Sequence, residues 1–379
     1  MWQLGILFLL ASAWWPQTLG FLSLVGVVAL ILFPVRRWEQ GATASMMLLA
    51  GHLWWLPGWL YSHVQTTFLG TIGIPLFLTV WFGAIAIAVW RGVWLFSSTP
   101  RVKTGAAYLL FYTIITYAST PFVSFTTGYP LLMPHLPFLA WIKPLISEPL
   151  RADAWWAYDT THALLYFPPV RIESRAQAAY AIYKRLFAIP EVLQGTKKYW
   201  IIAPESLFPY ALSSIISEQE VLWCSALPQQ TRFIFGGFYK GTMKNHAVFE
   251  LQTGPIRELF EKKNLVDFFE TTIKTNSYLT KLFFQSCGTF ATSEEHGCML
   301  REEGWCYQLC ADALLFQKKP GMRLVFVLAN ETVLPAWVAA LWQSYIAAIA
   351  LCQDIDVVWV GHGEGRIYRK NFFCYHAIP

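Results

Sequence analysis

The charges of this chain are confined almost entirely to its second part, and that asymmetry constrains the fold more than any other feature. Residues 1–142 hold only Arg36, Arg37, Glu39, Arg91, Arg101 and Lys103, whereas the other 45 charged residues lie in 143–379. A stretch so poor in charge cannot present the surface a water-soluble globule needs. The chain therefore divides into a lipid-type region and a water-type region. Charged residues make up 13% of the whole, against about 25% in an ordinary soluble domain. A net +5 spread this thinly makes no basic stripe, which excludes a nucleic-acid binder, and 55% hydrophobic residues exclude a disordered chain.

Within the first region, apolar runs approach the length of spanning helices at about 1–15, 19–34, 44–61, 70–90 and 105–124. A cleaved signal peptide is the alternative for the first run, with Ala11-Ser12-Ala13 as its site, but Met1-Trp2-Gln3 has no positive n-region. Orientation follows from the loops. Arg36 and Arg37 follow the second run, and Arg91, Arg101 and Lys103 flank the loop before the fifth, while 16–18 and 62–69 carry no Lys or Arg. The basic loops belong in the cytoplasm, so the chain after about residue 125 is expected outside it.

From about 155 onward, short β-rich runs alternate with helical ones, as in an α/β domain. Strands are expected at 162–167, 199–203, 231–238, 246–251, 322–329 and 356–360, and helices at 174–187, 255–262, 307–315 and 336–352. The last is apolar enough to rival a sixth span. Pro335 at its start and strand-like runs on both sides favour a buried helix between two strands of one sheet. Gly361-His-Gly-Glu-Gly365 reads as a turn between two late strands, because no helix follows to hold a phosphate. All seven cysteines lie in this part, and Cys287 with Cys298 is the favoured disulfide in an oxidising compartment. Cys306 and Cys310 have no second pair or His cluster at ligand spacing, so a metal is not expected.

Three segments place polar groups beside apolar runs. Tyr199-Trp-Ile-Ile-Ala-Pro-Glu205 is a strand ending on a carboxylate, Phe260-Glu-Lys262 carries a lysine, and Gly304-Trp305-Cys306-Tyr307-Gln308 reads as a cysteine entering an apolar helix. A carboxylate, a lysine and such a cysteine suffice for acyl transfer through a thioester. Each also has a structural reading: Glu205 as a helix cap, Lys262 as one of a solvated pair, Cys306 as a buried filler.

The order Glu205, Lys262, Cys306 resembles the Glu-Lys-Cys triad of the nitrilase (carbon-nitrogen hydrolase) superfamily. It is more closely similar to bacterial apolipoprotein N-acyltransferases. Ala203-Pro204-Glu205 resembles that family's WPE strand end, the stretch from Phe260 to Glu270 its YxKxHLVPFGE segment, and Cys306-Tyr307-Gln308 its CYE. Lys244-Asn245-His246, Asn330-Glu331 and Trp342-Gln343 echo further family positions, and Trp14-Trp15-Pro16 and Thr127-Gly128-Tyr129-Pro130 echo its membrane turns. Gln308 replaces a Glu, Asn264 a His, and Asp267-Phe268-Phe269 a Pro-Phe-Gly; five apolar runs stand where the family has seven helices. In length the chain is nearer the conjugal-transfer TraB proteins, nitrilase-like membrane proteins of transmissible plasmids.

The resemblance implies a multi-helix transmembrane bundle over 1–145 followed by an α-β-β-α sandwich of nitrilase type over 155–379. It implies Cys306 as nucleophile, Glu205 as base, Lys262 and the Tyr307 backbone N–H as oxyanion donors, and Glu270 as a supporting carboxylate. The implied acyl donor is a membrane phospholipid and the acceptor a lipoprotein or other amine, on the periplasmic side of a bacterial inner membrane. The alternatives are an amidase and a non-catalytic scaffold within conjugation machinery. No cofactor is expected, because the thioester carries the chemistry.

Overall fold

The computed structural model describes residues 2–64, 66–96, 99–117, 138–169, 175–189, 197–207, 222–228, 231–240, 244–252, 256–262 and 304–370. The chain forms two compact units. Among the described residues the first takes 2–145 and 333–348, and the second 146–262, 304–332 and 349–370.

The first unit is helical: α1 (Trp2–Trp14), α2 (Leu22–Leu32), α3 (Trp38–Leu53), α4 (Phe68–Phe96) and α5 (Pro100–Tyr117). Helices α1 and α2 form a close hairpin. A Cβ on Gly26 would lie 2.8 Å from the Gly5 carbonyl oxygen, so only glycine allows this approach. Buried hydroxyls are satisfied by nearby carbonyls three residues back, Ser12 donating to the Leu9 carbonyl and Ser23 to that of Gly20, both at 2.7 Å. Trp90 lies on Gly41 and donates its Nε1–H to the Ser45 hydroxyl at 2.9 Å. The outward side is apolar too, with Leu7, Val28, Leu76 and Val80 exposed. Helices apolar all round suit a lipid surrounding better than water.

Where described, the expected runs are largely helical, but a bundle of several spanning helices is not shown. Among the described residues, only Phe68–Phe96 is long and apolar enough to cross a membrane. The 13 residues of α1 reach about 20 Å and the 11 of α2 about 16 Å, short of a hydrocarbon core of about 30 Å. The run at 44–61 is interrupted after Leu53, where Pro57 sits in a separate short helix, Leu56–Trp59.

The second unit is a pair of facing sheets. One has six strands in the order β2 (Trp156–Ala157), β3 (His162–Tyr166), β4 (Lys198–Ile202), β5 (Thr231–Lys240), β6 (Lys244–Leu251), β7 (Arg257–Glu261). The other runs β1 (Ser147–Leu150), β11 (Gly365–Tyr368), β10 (Asp356–Val360), β9 (Leu324–Leu328), β8 (Trp305–Leu309). Strands β3–β4–β5 are parallel, as are β8–β9–β10. The core between the sheets is built from Leu164, Trp200, Ile202, Ile234 and Val248 on one side and Trp305, Tyr307, Leu309, Phe326 and Val358 on the other. The outer face of the six-stranded sheet is covered by α6 (Arg175–Phe187), which buries Ile182 and Leu186 against Leu165, Ile201 and Phe233. Helix α7 (Ala336–Cys352) joins the parallel neighbours β9 and β10, as expected. Its residues 336–348 belong to the helical unit, where Val338 and Leu341 pack on Ala13.

Two expected helices are strands. Residues 257–261 form β7, because a bulge opposite Val248 and Phe249 lets Leu259 and Phe260 both face the inter-sheet core. The 307–315 helix is instead the second half of β8 followed by a 3₁₀ turn, Cys310–Leu315. Alternating Trp305, Tyr307 and Leu309 fill the core, a period of two that decides for strand.

Candidate active site

Glu205 follows β4 in a turn stitched to β5. The Ala203 N–H donates to the Ile234 carbonyl (2.8 Å), the Gly236 N–H to Pro204 (3.2 Å) and the Leu207 N–H to Gly236 (3.1 Å). Ser206 is held in the left-handed region at φ 55°. The turn lies so close to β5 that a Cβ on Gly236 would come within 2.6 Å of the Glu205 Cα. Lys262 directly follows β7, and its Nζ donates to Glu205 Oε1 at 2.9 Å. Both side chains are buried, 0% and 3% exposed for Lys262 and Glu205. A buried ion pair is expensive to desolvate and is weak evidence for stability, so its retention here points to use.

Strand directions show which end of the sandwich this pair occupies. At one end Tyr158, just before β3, donates its hydroxyl to Asp356 at the start of β10 (3.0 Å). At the other end Tyr166, the last residue of β3, donates to the Gly361 carbonyl after β10 (2.9 Å). Burial first, then the Glu331 and Glu364 carboxylates, hold the Tyr166 phenol well above its ordinary pKa, so it stays a donor. Strands β3, β4, β8, β9 and β10 thus all end on the Tyr166 side. Tyr166 is in register with Ile202, and Glu205 follows Ile202 closely. Leu309, Leu328 and Val360 are in register, so Cys310, Ala329 and Gly361 line the same edge. Outer ends of parallel strands are the usual place for ligands in α/β folds.

The expected nucleophile is elsewhere on β8. Cys306 is the second residue of the strand, fully buried, beside Trp305, whose ring meets His162 (4.6 Å) at the start of β3. Cys310 is four positions further on, about 13 Å along a strand at about 3.3 Å per residue. Its side chain faces away from the inter-sheet core that Trp305 and Tyr307 enter, and its sulfur is engaged in a disulfide. The reading of Cys306 as opening a helix is therefore corrected, and with it that of Tyr307 as a donor at a helix entrance. Tyr307 lies inside β8, paired with Phe326 and stacked on its ring at 5.4 Å. Glu270, Cys287 and Cys298 lie outside the described residues.

Cys310 has the features that Cys306 lacks. It is a thiol, 6% exposed, at the junction of a strand and a helical turn, with φ 46°. A positive φ is unfavourable for a non-glycine residue and persists where the surroundings impose it, often at functional sites. Asp312, two residues on, is buried. Sequence reading passed over this cysteine because Cys306-Tyr307 matched a motif. The available signal was the period of two in 305–309, which ends the strand at Leu309 and puts Cys310, not Cys306, at the turn.

No family model matches the chain, and no curated protein matches it. Among solved structures it is similar to a glutamine-dependent NAD+ synthetase from Acinetobacter baumannii in complex with ADP, at 14% identity and a TM-score of 0.34. That match covers 54% of this chain and 40% of the synthetase. It is also similar to a carbon-nitrogen hydrolase from Helicobacter pylori G27, at 12% identity and a TM-score of 0.34, over 52% of this chain and 72% of the other. At that identity and score neither carries a family or an activity to this chain.

Proposed function

We propose that the chain is a membrane-associated enzyme that transfers acyl groups through a cysteine thioester, making or breaking a carbon–nitrogen acyl bond. The observation that carries this reading is the buried Lys262–Glu205 pair at the strand edge that also ends in Cys310. In the proposed sequence Glu205 takes the Cys310 proton as sulfur attacks the donor carbonyl. Lys262 and the backbone N–H of Ala311 stabilise the tetrahedral oxyanion. On collapse the carbon–leaving-group bond breaks, and the leaving group takes the proton from Glu205. The acceptor then gives its proton to Glu205, attacks the thioester carbonyl, and the Cys310 sulfur departs and recovers that proton.

For the acyl groups, the motif resemblance favours a phospholipid-type donor and an amine acceptor, with the α/β unit on the periplasmic side. The apolar exterior of the helical unit and the spanning length of Phe68–Phe96 support a lipid-facing setting. The test is mass spectrometry of the full chain purified from membranes and offered a phospholipid or a soluble amide. An acyl adduct on Cys310 from phospholipid supports N-acyl transfer, and one from the amide alone supports a hydrolase. No adduct on Cys310 from either would refute the reading.

A further inference from the structure

We infer that His362 is a positioning residue for Glu205, a role that rests on the function proposed above. After β10 the chain turns through Gly361-His362-Gly363 before β11. The His362 ring reaches across to the Glu205 turn, where Nε2–H donates to the Glu205 main-chain carbonyl at 2.7 Å. A carbonyl only accepts, so the hydrogen bond requires the proton on Nε2.

The loop that carries His362 is itself held. Glu331, in a short turn after β9, accepts from the His362 backbone N–H (3.1 Å) and the Gly363 N–H (3.0 Å). Gly361 leaves room for that carboxylate, since a Cβ there would come within 2.2 Å of Glu331 Oε1. Tyr166 secures the same loop from the other sheet through the Gly361 carbonyl. One connected set of hydrogen bonds thus runs from the ends of β3, β9 and β10 to the main chain of Glu205. It adds a main-chain anchor to the β5 hydrogen bonds and the Lys262 pair that hold the Glu205 turn, which contains a left-handed Ser206. A base displaced by a fraction of an ångström loses alignment with the thiol whose proton it takes, and such misplacement costs up to about 10²-fold in rate.

Two variants of similar size isolate the hydrogen bond: His362→Gln places an amide N–H near the position of Nε2, and His362→Met fills the space with no donor. The full-length protein in detergent is mixed with p-nitrophenyl acetate, and the p-nitrophenolate burst is followed with acetylation of Cys310 by peptide mass. His362→Met is expected to slow the burst about 10–100-fold with little change in its dependence on ester concentration. His362→Gln should stay close to wild type. Equal bursts in all three proteins, with Cys310 acetylated, would overturn the positioning role and leave the function standing. A Gln variant as slow as the Met variant would overturn the hydrogen bond as the cause. A wild type whose Cys310 is never acetylated refutes the parent reading instead.

Discussion

The two ends of the β-sandwich are built from the same strands yet carry different kinds of chemistry, and β8 shows the difference within five residues. At its start, Cys306 is disulfide-bonded and flanked by a sealed cluster: Trp305 against His162, and Asp356 accepting from Tyr158 and pairing with Arg369. The buried charges Asp356 and Arg369 there pair with each other. At its finish, Cys310 is a thiol with positive φ on the edge where Lys262 and Glu205 form a buried pair. Inside a strand the ladder dictates where each side chain points. Past its last residue the backbone can adopt the angles that present a nucleophile.

The largest effect should come from exchanging the two cysteines. Cys310→Ala is expected to abolish acyl adduct and turnover, whereas Cys306→Ala should lower thermal stability and leave the acylation rate close to wild type, read by mass spectrometry and Tm together. The opposite pattern would return the nucleophile to Cys306 and dissolve the contrast between the ends.

Next are the partners at the Cys310 end. Glu205→Gln keeps the shape but cannot take the thiol proton, for a loss of about 10²–10⁴ in rate. Lys262→Met removes an oxyanion donor, costing about 10²–10³. It also leaves Glu205 buried without this cation, at about 3–5 kcal/mol of stability, measurable by denaturant unfolding. The double variant should be little worse than the slower single one, because groups acting as a unit are not additive.

At the other end Asp356→Asn provides the control. It weakens the Arg369 pair and the Tyr158 hydrogen bond, so a stability loss of about 1–3 kcal/mol is expected, with turnover per folded molecule unchanged. A fall in turnover greater than the fall in folded protein would show that this end takes part in catalysis.

The smallest effect is in alkali and involves both ends. Burial, the largest cause, raises the phenol pKa values of Tyr158, Tyr166 and Tyr368, with Asp356 adding to the first and Glu331 and Glu364 to the other two. A raised folded-state pKa contributes stability that is complete below the unfolded value of about 10 and is lost as pH rises toward the folded one. Tm should therefore hold to about pH 10 and fall above it, with tyrosinate absorbance lagging behind that of free tyrosine until the protein unfolds.

Much was legible in the chain itself, for local reasons. Charge asymmetry marks 1–142 off from the rest of the chain, although the helical unit also takes in 333–348. Periods of two and 3.6 marked β3, β4, β5, β9, β10 and the helices at 175–187 and 336–352 within a few residues. The carboxylate at the end of β4 could be named because it closes a strong apolar strand, and the lysine at 262 because the Phe260–Glu270 stretch resembles a family segment; the structure brings them to 2.9 Å. Helix lengths were less legible. Apolar composition does not show where a helix breaks, and Leu56-Pro57-Gly58-Trp59 interrupts what reads as one run.

The different settings of two cysteines four positions apart belonged to tertiary structure. Both lie in an apolar segment, and the motif at 306 was the more conspicuous. The period of two in 305–309 suggests a strand, and the pairing of β8 with β9 and its packing against β4 decide it, so that the chain turns at 310. The same holds for His362 and Glu331, 157 and 126 positions from Glu205. Sequence determines which local conformations are favourable and which residues can ionise, donate or attack. Which of them share one edge depends on strand order and register, set by non-local packing that no local pattern contains.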